Sequence, residues 1–163
     1  MSINLEEADR NPDELMLTMA HEFAHVLTSL PSQIDRDVTP RDCSTWHNRV
    51  GCYREMSLLA EWVELFWDEG RIDQINIKLE PSAEIGSERC RFDPSFLGPY
   101  AASHPEEDFA ESFSAFVFRL DAPSLEVREK MEWFARQPQL AEFRNRAIEA
   151  GLGPTQNAFE RCG

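Results

Sequence analysis

Leu15-Met16-Leu17-Thr18-Met19-Ala20-His21-Glu22-Phe23-Ala24-His25-Val26-Leu27-Thr28-Ser29-Leu30 is the stretch whose reading decides the fold. Asn11-Pro12-Asp13-Glu14 precedes it and supplies a helix start: Asn11 as N-cap, Pro12 at the first helical position, Glu14 in capping-box spacing. Pro31 ends it. Apolar residues crowd most of its circumference, which predicts a central helix over Asp13 to Leu30. Three polar side chains interrupt the apolar run as His21-Glu22-x-x-His25. Histidines four apart lie about one turn apart on one face, so both rings can bind one zinc ion. Glu22 is offset by about 100° and can reach a water on that ion. Placing these groups on an otherwise apolar helix is costly without such a purpose.

A catalytic zinc takes three protein ligands and keeps one position open. A metzincin-type third histidine is excluded, because Thr28 and Pro31 stand where its Gly and His would be. The remaining candidates are His47, His104, Glu106, Glu107, Asp108 and Glu111. They fall mostly in Ser103-His104-Pro105-Glu106-Glu107-Asp108-Phe109-Ala110-Glu111-Ser112-Phe113, the start of a helix expected from Ser103 to about Leu120. Ser103 and Glu106 have capping-box spacing, and His104 reads as the first helical residue. Glu107 and Glu111 share a face, with Phe109, Phe113 and Phe116 on the other side. Glu106 and Asp108 are each turned about 100° from Glu107. Two inward carboxylates need a cation or donors; a zinc ion for one and a ligand-histidine N–H for the other would serve.

These two segments together resemble the gluzincin metallopeptidases. The similarity is to the group related to the anthrax lethal factor catalytic domain and to bacterial zinc-binding metallopeptidases. In that group the second helix reads Glu-x-Phe-Ala-Glu-x-Phe, as Glu107 to Phe113 do here. The resemblance implies that Glu107, the first acid, is the third zinc ligand and that Glu111 orients a ligand histidine. It also implies that Tyr100, seven residues before Glu107, assists the transition state. The implied activity is peptide-bond hydrolysis with one catalytic Zn²⁺ and Glu22 as general base, acting on a protein or peptide. About a dozen residues precede the zinc helix, where gluzincins place a β-sheet. The expectation is therefore one domain over 1–163, mainly α, lacking that sheet, as a reduced form or a piece of a longer chain. A zinc-binding module without turnover, or a metal-free helical interaction protein, are the rival readings.

The rest of the chain sets the frame. Its 163 residues amount to about one domain. Sixteen basic against 30 acidic side chains give a net charge of −14, which disfavours nucleic acid and anionic membranes as partners. No apolar run reaches the ~20 residues of a membrane span, and Met1 to Glu7 lack a signal-peptide pattern. Cys43 and Cys52 flank a loop that can close as a disulfide, leaving Cys90 and Cys162 to pair. That layout points to a secreted or extracytoplasmic protein, against four free thiols in a cytosolic one. Residues 31–52 read as a polar loop, Tyr53 to Glu69 as a helix with Gly70 at C′, and 72–79 as one short strand carried by Ile75, Ile77 and Leu79. Residues 80–103 read as irregular, and helices are expected near 125–136 and 139–150.

Overall fold

A computed structural model describes residues 12–155 and 159–162. The Asn11 cap lies outside these residues. Helix α1 is Pro12–Thr28, and Ile34–Asp35 (β1) pairs antiparallel with Cys52–Tyr53 (β2), Ile34 opposite Tyr53. Then come α2 (Leu58–Phe66), the single turn α3 (Glu69–Ile72), α4 (Ala83–Phe92), a 3₁₀ turn (Ala101–Ser103), α5 (Pro105–Val117), α6 (Leu125–Arg136) and α7 (Pro138–Glu149). The molecule is mainly helical, and α1, which carries His21 and His25, packs on α5, which carries Glu107.

The centre is α5 rather than α1. Every α5 side chain except Glu106 is buried. On α1 the buried set is Leu17, Ala20, His21, Ala24 and Thr28, one stripe at helical spacing. Met19 and Val26 are exposed and Phe23 is only partly covered by Phe113 and Phe143, so the dense apolar content of α1 does not place it in the middle. Ser114 Oγ donates to the Leu17 carbonyl at 3.1 Å and pins the two helices together. Behind α5 the rings of Trp62, Phe109, Phe113, Trp133 and Phe134 pack edge-on or tilted, with neighbouring centroids 5.0 to 6.2 Å apart.

Several boundaries differ from the sequence expectation, each for a local reason. The second helix starts at Leu58, not Tyr53. Ser57 Oγ accepts the Ala60 N–H as N-cap, Met56 takes a left-handed φ of 61°, and Cys52–Tyr53 go into the hairpin. Gly70 sits inside α3 rather than at a C′ position, because Asp68 accepts the Arg71 N–H and restarts the helix. Ile75, Ile77 and Leu79 form turns, not a strand: Ile75 N–H bonds Ile72, Leu79 N–H bonds Asn76, and Asn76 Oδ1 takes the Lys78 N–H. The small β element is the 34–35/52–53 hairpin instead. The stretch expected to be irregular contains α4, capped by Ser82. Gly86 is there for contact: a Cβ would strike the Pro99 carbonyl and the 3₁₀ turn.

All four cysteines are paired, Cys43 with Cys52 and Cys90 with Cys162, at Cα separations of 5.6 and 5.2 Å. Two disulfides fit an oxidising environment. Among the described residues no helix is long and apolar enough to cross a membrane.

Candidate metal centre

Pro105 fixes where α5 begins. Proline suits the first helical position and holds the residue before it extended, so His104 becomes the N-cap at φ −149°, ψ 154°. The capping box therefore does not form; Ser103 Oγ donates to the Tyr100 carbonyl instead, and Glu106 is released from capping. With that register Glu107 faces the buried stripe of α1.

His21 Nε2, His25 Nε2 and Glu107 Oε2 converge in a triangle. The sides are 3.0 Å between the histidines and 3.1 Å from each to the carboxylate oxygen. Three ligand atoms bound at 2.0–2.1 Å around a tetrahedral ion stand about 3.3 Å apart, so the triangle is close to the size such an ion needs. Two imidazole nitrogens within 3.0 Å of each other and 3.1 Å of one carboxylate oxygen favour positive charge at their centre, as protons or as a metal ion. The group can hold a metal ion.

The electrostatics agree. Burial alone would raise the Glu107 carboxyl, but hydrogen bonds from His21 and His25 and their charge pull it down to about 2. Burial would lower His25, yet the hydrogen bond and charge of Glu107, with Glu22 and Glu106 nearby, hold it above its ordinary range. Both shifts favour positive charge beside Glu107.

Two hollows flank the triangle. One of about 300 Å³ is lined by His21, Glu22, Tyr100, Glu111 and the tail residue Glu160. The other, of about 270 Å³, runs past His25 and Glu107 to Asn48, Tyr53, His104 and Glu106. Tyr100 stands beside the metal face, its ring centroid 5.8 Å from that of His21. Burial and then the charge of Glu107 push its phenol well above the ordinary range, so it stays a proton donor.

The remaining candidates lie outside the triangle. Glu111 is buried but bonds neither histidine: its Oε2 has no hydrogen-bond partner, and it lies a turn further on, beside Gly98. Burial, with the charges of Asp108 and Glu107, pushes its carboxyl up to about 8. His47 is bonded to the Val38 carbonyl at 3.1 Å, and Trp46 is packed. His104 lines the second hollow with neither ring nitrogen partnered. Asp108 points to the opposite side of α5. There it accepts from Lys130 at 2.8 Å on both oxygens and from Trp62 and Trp67 at 3.0 and 2.9 Å. Lys130 is the residue the sequence reading missed. Val127, Lys130 and Phe134 share a helix face, and a lysine between two core residues asks for a buried acid.

No protein-family model matches the chain, and no curated protein or solved structure is significantly similar to it.

Proposed function

We propose that the domain is a zinc-dependent peptidase of gluzincin type, acting on protein or peptide substrates in an extracytoplasmic compartment. The observation that carries this reading is the triangle of His21, His25 and Glu107, whose His21 corner lines the same hollow as Glu22 and Tyr100. Two nitrogens and one carboxylate oxygen are the donor set of hydrolytic zinc sites. Zinc bound there would supply Lewis acidity, polarising a peptide carbonyl and making a water acidic enough to attack at neutral pH.

The protein's own groups do the rest. Glu22 takes the proton from the attacking water and passes it to the leaving amine. Tyr100, held protonated, donates to the carbonyl oxygen as negative charge develops on it. Glu107 anchors the site from a helix that the core holds rigid. Holding a metal does not require Glu22; activating a water does.

The test is Glu22→Gln with zinc content and turnover of a peptide mixture measured together. The expected result is full zinc occupancy with cleavage lost. A zinc-loaded Gln variant with wild-type turnover would overturn the mechanism. Wild-type protein that binds zinc stoichiometrically and cleaves nothing would be a zinc-stabilised scaffold instead.

A further inference from the structure

The hollow on the Tyr100 side carries more than the proposed hydrolysis uses. Glu22, Glu111 and Glu160 all line it, and no lysine or arginine among the described residues does. Glu111 is the informative member. It is 6% exposed, and although the Ala101 backbone N–H bonds its carboxyl group, its Oε2 lacks any hydrogen-bond partner. Asp108, the other deeply buried acid of α5, has its lysine. The wall opposite is built from the chain's tail, which the Cys90–Cys162 disulfide ties to α4. The tail packs so closely on Gly98 that a Cβ there would strike the Glu160 carbonyl and lie 3.7 Å from Glu111 Oε2. The Glu160 carbonyl and the Glu111 carboxylate therefore meet at Gly98, beside the hollow that Glu22 and Glu160 also line.

We infer that this hollow is a subsite for an ammonium or guanidinium group of the substrate, with Glu111 at its floor and Glu160 at its rim. The inference rests on the peptidase reading and gives it a substrate class: peptides carrying positive charge next to the bond cleaved. The charge is the α-amino group of a chain end or a lysine or arginine side chain. Both present N–H donors that satisfy Glu111 and are drawn by the net charge of −14.

The test uses the whole zinc-loaded chain and three probes. Norleucine amide carries only the α-ammonium, Nα-acetyl-lysine amide only the side-chain ammonium, and Nα-acetyl-norleucine amide no charge. Binding is followed through the NMR amide signals of Gly98 and Tyr100. At least one charged probe is expected to bind about tenfold tighter than the neutral one, the scale of one charge-assisted hydrogen bond. Which one distinguishes a chain end from a side chain. Glu111→Gln and the exposed Glu160→Gln should each shrink that ratio severalfold. Equal binding of all three probes, or a ratio that neither substitution changes, would overturn the inference. Because binding is read without turnover, charged probes that bind to a protein cleaving no peptide would leave the subsite standing and the peptidase reading lost. Cleavage with no preference for charge would do the reverse.

Discussion

Glu107 and Asp108 are neighbours on α5, both buried, and they serve opposite ends. Asp108 is 0% exposed and collects hydrogen bonds from Lys130, Trp62 and Trp67. Burial raises its carboxyl and lowers the Lys130 ammonium, while their attraction opposes both. That side is closed: charge meets charge, and no group is left over for a ligand. Glu107 meets two histidines whose ring nitrogens converge with it on one point, and hollows open on either side. The lesson is that burial of an acid does not mark a site. What marks it is burial among groups that are also metal-ligand types, with their donor atoms converged and hollows beside them.

The comparison can be broken most forcefully on the structural side. Lys130→Met leaves Asp108 buried without its counterion and should cost about 3–5 kcal/mol of folding stability. Denaturant unfolding would measure it, and the fraction that stays folded should still bind zinc. On the site side, Glu107→Ala should weaken zinc binding by more than the 10–100-fold expected of an outer partner, with a smaller stability cost. Glu111→Ala should change it by less than about tenfold, since Glu111 bonds neither histidine. Competition with a chromophoric chelator would rank the two variants, and the reverse order would exchange their roles.

How much of this was legible in the sequence follows from the range of the interactions. The His21–His25 helix and the Glu107 face of α5 could be read because each depends on spacing within one helix. The convergence of α1 on α5 needed the resemblance, since no local pattern pairs residues 82 positions apart. Helix α4 was hidden because Gly86, which looks like a breaker, is demanded by the Pro99 carbonyl packed against it. The alternation of Ile75, Ile77 and Leu79 mimicked a strand that has no partner among the described residues. The fate of Glu106 turned on Pro105, whose ring sets the start of α5 one residue later than a Ser103 cap would.

Two smaller effects sharpen the contrast. Opening Cys43–Cys52 by replacing both cysteines with serine should cost about 2–3 kcal/mol, as a short loop allows, and lower Tm without removing zinc. Glu111 differs from Asp108 in having no lysine, so it should leave a pH signature. Its folded carboxyl titrates near 8 against an ordinary 4.5. The folded state therefore holds a proton that the unfolded chain has lost, and stability falls as pH rises from about 4.5 through about 8. Thermal unfolding of the metal-free protein across that window should show the decline, and Glu111→Gln should flatten it.

Anomalous diffraction at the zinc absorption edge, on crystals grown with zinc, tests the central claim most directly. One ion bonded to His21 Nε2, His25 Nε2 and Glu107 Oε2, with a further position open toward Glu22, is the predicted result. An ion held by other residues, or an empty triangle in crystals with zinc present, would contradict it.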